Sequence, residues 1–455
     1  MKAQETVSWE SGASDSAPLP PMVDPRDLHD RDQLFLEQYR KLGPVFRIPR
    51  PDKPPLVVLA GPQANVFVAR HESEFFTTRE HWQDFDQNIG STISEARDGP
   101  ANRQRRARTS RIWSRARVVD QLAPMVAITR DFSDWQSGYS IAVRPAMQRI
   151  VAEQLGRLLV GFGPGEYLPD VIIYLDMLIT TSFGENRHWT PESKAEFERA
   201  KQRAQELGRA ILQAHIDHPM PNGKPDLIDE ALAAAAEDPS GSLRNYSDLL
   251  GLKVFLAGLN TVANTLSFMI YALLAFPEVL KPVLAEVDAA FSQGLLTRER
   301  LKNMTALHGT AMETLRRYPI AAGHLATVAK RLTLAGYRLE PGAEIFVAMT
   351  VPHFLPELFP DPEKFDIDRF HAPRNEHRQD GAYAPFGLGD HTCLGAGIAE
   401  IQLMVTIATL FHDYQLELDP PTYKLRIENQ PTPAPSKDFR VKIVAKRATA
   451  QNKLG

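Results

Sequence analysis

The stretch from Leu249 to Phe276 is long and largely apolar, close to the length that spans a bilayer. Lys253, Asn260, Thr261, Asn264 and Thr265 interrupt it, and at 3.6 residues per turn they fall along one stripe. Such residues are costly inside a membrane. A buried helix with one polar, functional stripe accounts for the pattern better than a membrane span. The surrounding composition agrees: 43% hydrophobic and 24% charged residues are the balance of a soluble globular protein. A net charge of −4 gives no global case for nucleic-acid binding.

A second stretch carries the chemistry. Phe386 to Gly395 reads F-G-L-G-D-H-T-C-L-G and holds Cys393, the only cysteine in 455 residues. A lone thiol forms no intramolecular disulfide, and one sulfur builds no tetrathiolate zinc or iron–sulfur site. Gly387, Gly389 and Gly395, with Phe386 at one end, suit a tight hairpin that brings the backbone up to a flat, bulky partner. Leu394 to His412 then reads as a helix, so Cys393 precedes a helix N-terminus, where the dipole favours a thiolate. A thiolate presented this way is a good axial ligand for haem iron. The competing reading is a buried, inert cysteine, and the glycines and Phe386 weigh against it.

Along the chain, residues 1–25 read as a loose tail, because Pro18, Pro20 and Pro21 block regular structure. Residues 26–455 read as a single, mainly α domain with a small β region. Arg31–Leu42 and Gly61–His71 have helical character, and Val45–Ile48 and Leu56–Leu59 read as short strands divided by the proline-rich segment Pro49–Pro55. Phe75–Pro100 reads as a long irregular loop, of the kind that is functional or mobile. Asn102–Arg117 reads as a helix with a basic face carrying Arg103, Arg105, Arg106, Arg108, Arg111, Arg115 and Arg117. Gln121–Leu232 reads as helix after helix, Arg298–Arg317 as one helix, and His324–Thr350 as strands alternating with turns. Met1–Pro20 has no basic-then-apolar signal pattern, and a single cysteine suits a reducing compartment, so the expected location is the cytoplasm.

Glu313-Thr-Leu-Arg316 supplies a further signal: its two charged residues share a helix face and can pair. Alone it is weak. Its weight comes from order: E-x-x-R, then a β segment, then F-P-D-P-x-x-F at Phe359–Phe365, then Arg369, then the cysteine loop. This ordered set resembles the cytochrome P450 family, the haem-thiolate monooxygenases, over roughly the whole chain from Arg31 onward. The segment A-G-L-N-T-V-A-N-T-L-S-F, which begins at Ala257, is most similar to the soluble camphor-hydroxylating branch from bacteria.

The resemblance implies a triangular fold with haem b between a long distal helix and the cysteine-ligand loop. It implies that Cys393 is the axial ligand in a loop framed by Phe386 and Gly395, and that Glu313, Arg316 and Arg369 support that loop. Arg106, His391 and His324 match propionate partners, and Asn102 takes a place often held by His. Ala257 and Gly258 leave space beside the distal helix, and Thr261 matches the residue that holds a water near the distal oxygen. Asn260 departs from the pattern: it occupies the position of a proton-feeding acid and cannot titrate.

By position, Trp82, Phe85, Ile89, Lys253, Leu256, Ile320 and Ala321 are candidates to line a mostly apolar substrate pocket. Lys253 is placed either to pair with a substrate or propionate carboxylate, or to snorkel away. The resemblance further implies O2, a small hydrophobic and terpenoid-like substrate, and a separate ferredoxin docking on Arg103–Arg117. Two alternatives stay open: a peroxide-using or isomerising relative, and a haem-binding sensor without catalysis.

Overall fold

The computed structural model describes residues 16–27, 34–90, 98–110, 120–183, 190–220, 223, 225–236 and 251–447, without the side chains of 101, 105, 108–110, 234 and 235. It is mainly helical, with four small sheets among the described residues. Its contacts gather into two compact units.

The first unit comprises Met1–Gln87, Thr92–Ala107 and Ala321–Cys393. Its frame is a five-stranded sheet in which Val45–Arg50 pairs antiparallel with Lys53–Ala60. Lys53–Ala60 runs parallel to Glu344–Ala348, which pairs with His324–Val328, and Phe76–Thr77 closes the far edge. Of the prolines expected to divide the first two strands, Pro51 lies in the turn between them, whereas Pro49 sits on the edge strand, and Pro54 and Pro55 precede the register that pairs Leu56 onward. Edge positions tolerate proline because no neighbour asks for its missing N–H. The helix Pro62–Phe75 lays Phe67, Val68 and Phe75 on Val57, Leu59 and Val347, all nearly fully buried. Asn65, fully buried, donates to the carbonyls of Met349 and Gly381 at 2.9 Å each.

Part of the expected loose tail is ordered. Pro21 O accepts from Arg47 N at 2.7 Å, Val23 N donates back to Arg47 O at 2.8 Å, and Val23 is fully buried. Proline blocks donation but not acceptance, so a proline-rich strand can lie along a sheet edge. The segment after Phe75 is also more regular than expected. It holds a short helical turn at Arg79–Trp82 and a helix at Gln83–Ile89.

The second unit comprises Asn88–Ser91, Arg108–Ile320 and Leu394–Gly455. Its axis is the helix Lys253–Ala275, long and apolar enough to cross a membrane but mostly buried inside the protein. It packs against Val143–Leu159, where a Cβ at Gly258 would stand 3.1 Å from Leu155 Cδ1. Phe268 stacks on Tyr318 with centroids 4.8 Å apart. A buried amide, Gln154, ties three helices by donating to Thr129 and Thr406 at 3.0 Å and accepting from Gln402 at 3.2 Å. The helix expected over Arg298–Arg317 is two, Arg298–Asn303 and Thr305–Arg317, broken at Met304. Glu286 caps the second by accepting from the backbone of Ala306 and Leu307 at 2.8 and 3.1 Å, a carboxylate where the helix N–H groups are bare.

Candidate active site

The cysteine loop is shaped by its own backbone. Cys393 N donates to Phe386 O at 2.7 Å and closes the hairpin, and the turn passes through positive φ at Gly387 (82°) and Gly389 (57°). Gly389 is also a close approach: a Cβ there would meet Glu72 Oε2 at 2.7 Å. The turn leaves Cys393 exposed at its tip. The helix Ala396–Asp413 begins just after it, with Gly395 at its cap.

Two residues hold the loop from behind. Arg106 donates from Nη2 to Thr392 O, and Asn102, 1% exposed, reaches Asp390 O at 3.4 Å. Arg103 pairs with the Asp390 carboxylate at 3.4 Å. Both imidazoles expected beside a propionate meet a buried carboxylate in the protein. His391 Nδ1 lies 2.9 Å and His324 Nε2 3.3 Å from Glu72 Oε1. Across its ring, His391 Nε2 is 3.2 Å from Thr78 Oγ1 and 3.6 Å from Asp98 Oδ1. Asp98 in turn accepts from the backbone of Thr78 and Arg79. Glu72, Thr78 and Asp98 carry no motif, and sequence reasoning missed them. Arg105 and Arg108 lack described side chains, and Arg111, Arg115 and Arg117 lie outside the described residues.

The E-x-x-R pair and Arg369 are both buried and fully engaged. Arg316 grips Glu313 with two parallel bonds, 2.7 and 2.9 Å, and both are fully buried. Arg369, also fully buried, donates to Glu376 at 2.9 Å and to the carbonyls of Pro360 and Asp361 at 2.6 and 2.8 Å. Glu376, also missed in the sequence, is shared with Arg374.

On the helix Lys253–Ala275, the polar stripe divides. Asn264 is buried and donates to Thr432 and to Pro433 O, both at 3.1 Å. Asn260, 4% exposed, accepts from Gln148 at 2.8 Å and donates to Asp176 Oδ1 at 2.7 Å. Arg144 Nη2 stands 3.6 Å from the other Asp176 oxygen. Burial pushes the Asp176 carboxyl up; Arg144, the Asn260 amide and Lys437 pull it back only in part. Ala257 and Thr261, one turn apart, are exposed although most of the helix around them is buried. Thr261 Oγ1 donates back to Ala257 O and Gly258 O at 3.1 and 3.2 Å, which leaves its oxygen free to accept.

The proposed lining residues differ in exposure. Trp82 and Phe85 pack edge to face with centroids 5.3 Å apart. Lys253, Leu256 and Ile320 are half-buried, Ala321 is exposed and Ile89 is in the core at 2% exposure.

These features fit haem. Cys393 offers a soft sulfur donor on an exposed tip, and the open Ala257–Thr261 step offers an apolar surface with one hydroxyl. Arg106 and Arg103 bring guanidinium groups to the loop, and His391 and His324 bring imidazoles to Glu72 beside it.

Comparison with known proteins points the same way. The cytochrome P450 family model matches residues 26–443. A cyclooctat-9-en-7-ol 5-monooxygenase from Streptomyces melanosporofaciens is 26% identical over 346 residues, 74% of this chain and 75% of that enzyme. A probable cytochrome P450 6a13 from Drosophila melanogaster is 36% identical over 168 residues, but that match spans only 36% of this chain and 34% of the fly protein. Among solved structures, a cyanobacterial P450 bound to retinoic acid superposes with a TM-score of 0.79 at 22% identity, covering 94% of this chain and 99% of that one. The chain, with its thiol loop, E-x-x-R pair and open helix step, belongs to the cytochrome P450 family of haem-binding monooxygenases.

Proposed function

We propose that this P450 inserts one oxygen atom from O2 into a hydrophobic, terpenoid-like small molecule, with electrons from a separate ferredoxin-type donor. The observation that carries the reading is the open Ala257–Thr261 step on an otherwise buried helix, in a chain whose one thiol is exposed at a loop tip. When bound, thiolate-ligated haem supplies O2 activation, the sulfur pushing electron density toward O–O cleavage. The protein does the rest. Cys393 gives the sulfur, and the Phe386–Cys393 bond and Arg106 hold its loop. Thr261 orients a water with its accepting lone pairs. Trp82 and Phe85, packed edge to face, supply apolar contact for the substrate. The terpenoid class is supported by similarity to the cyclooctatenol oxygenase. Arg103 and Arg106 belong to the helix on which an acidic donor would dock.

A spectral-shift screen of terpenoids and other apolar molecules tests the proposal. Hits that displace iron-bound water and turn over with NADH, reductase and ferredoxin support it. Turnover with peroxide alone, and none with ferredoxin and NADH, sinks it in favour of a peroxide-using relative.

A further inference from the structure

We propose that Asp176 is the proton-holding group for the open face of the helix Lys253–Ala275, a positioning residue that replaces the acid absent at Asn260. The inference rests on the monooxygenase reading and adds a source of protons to it.

Asn260 adjoins Thr261, and both ends of its amide are hydrogen-bonded. Its oxygen accepts from Gln148, and its nitrogen donates to Asp176 at 2.7 Å. An amide side chain has no proton to give. Its role is to hold a carboxyl group that has one, 84 residues away in sequence. Asp176 lies on the helix Leu168–Phe183, with its side chain 31% exposed, so it has an edge toward bulk water. Its second oxygen faces Arg144 at 3.6 Å. Arg144 is 8% exposed, and its Nε and Nη2 have no hydrogen-bond acceptor among the described residues. Buried donors of this kind are where ordered water binds. The charged groups that bear on Asp176 are Arg144, from the helix Val143–Leu159, and Lys437, just ahead of the strand Arg440–Lys446.

The transfer balances. Protonated Asp176 releases its proton to a water beside Oδ2. The carboxylate left behind keeps the Asn260 N–H on Oδ1 and the Arg144 guanidinium near Oδ2. Water carries the proton to the accepting side of Thr261 Oγ1, and Asp176 regains a proton from solvent through its exposed edge. Burial favours the acid form, and Arg144 favours the anion.

The test uses the full-length, haem-loaded protein, with O2 as the probe. The proteins are wild type, Asp176→Asn, and the exchange Asp176→Asn with Asn260→Asp. The chemically reduced protein is mixed with O2, and its reoxidation is followed against pH in H2O and D2O. The infrared C=O stretch of protonated carboxyl groups is titrated in parallel. In Asp176→Asn we expect reoxidation to slow by roughly a hundredfold, lose its pH inflection and change its solvent isotope effect. One titrating carboxyl band should vanish. The exchange, which restores an acid within the same pair, should recover rate and inflection. An unchanged pH profile and isotope effect in Asp176→Asn overturns the proposal, as does an exchange variant that keeps a thiolate-type carbon monoxide spectrum without recovery. If Asp176→Asn fails to take up haem, Asp176→Glu carries the test: a displaced inflection supports the proposal and an unmoved one overturns it. A wild-type carbon monoxide spectrum of histidine type would instead sink the monooxygenase reading and leave the infrared titration to report on Asp176.

Discussion

His391 Nδ1 lies 2.9 Å from Oε1 of Glu72, a carboxylate only 3% exposed, and His324 approaches the same oxygen. Burial pushes the Glu72 carboxyl up, but the two imidazoles outweigh it and hold it at about 2. Its folded value is depressed, so its stabilisation is present above the ordinary 4.5 and is lost as pH falls toward 2. Glu72→Gln should cost about 3–5 kcal/mol at neutral pH, since it breaks a buried polar cluster by removing the carboxylate that both imidazoles meet. Urea unfolding at several pH values checks this. The gap between wild type and variant should close as pH drops through that window.

Glu313 and Arg316 form a bidentate pair with no exposed surface. Glu313→Ala or Arg316→Ala should each destabilise by about 3–5 kcal/mol, and the double variant by clearly less than the sum. A double-mutant cycle by denaturant unfolding measures the coupling, and additive losses would refute it.

Cys393 is the only sulfur donor of its type in the chain. Carbon monoxide added to the reduced wild type should give the red-shifted Soret band of thiolate ligation. Cys393→Ser should lose that band together with oxygen insertion. Retained insertion would contradict the ligand assignment.

Asn260→Asp places an acid where the resemblance leads one to expect it, yet the tertiary structure argues against a simple gain. The new carboxylate would sit 2.7 Å from Asp176 Oδ1, where two like charges cannot both ionise. The pair should share a proton, and the variant should lose stability as pH rises. Product formed per NADH should not increase; a clear rise in coupling would show that the carboxylates tolerate each other.

His215 and Asp226 are buried partners at 2.9 Å. Burial pushes the His215 imidazole down, but Asp226 and the Ile211 carbonyl more than reverse this, so its value is raised. A raised value contributes stability fully below the unfolded 6.5, and the contribution is lost as pH rises through the folded value. Asp226 also caps the helix Leu227–Ala236 by accepting from Ile228 N and Asp229 N. His215→Gln should therefore flatten the fall in melting temperature on the alkaline side of that value. An unchanged slope would assign the pH dependence elsewhere.

The amino-acid order by itself determined what is local. Gly387 and Gly389 announce a turn because only glycine accepts their φ without strain, and Cys393 follows within that turn. The interval from Glu313 to Arg316 brings the two onto one helical face, and the apolar run after Lys253 has no good place except a core. Tertiary structure alone decided the electrostatics. Glu72 meets His324 and His391, and Asp176 meets Asn260, between residues far apart in the sequence, because those pairings depend on which elements pack together. The same holds for Pro18–Val23. Their prolines forbid helix, yet their carbonyls find the edge of a sheet that the order of residues does not reveal. Burial then sets the strength of each pair: a carboxylate in water is ordinary, while the same group enclosed beside imidazoles or a guanidinium takes its charge from its neighbours.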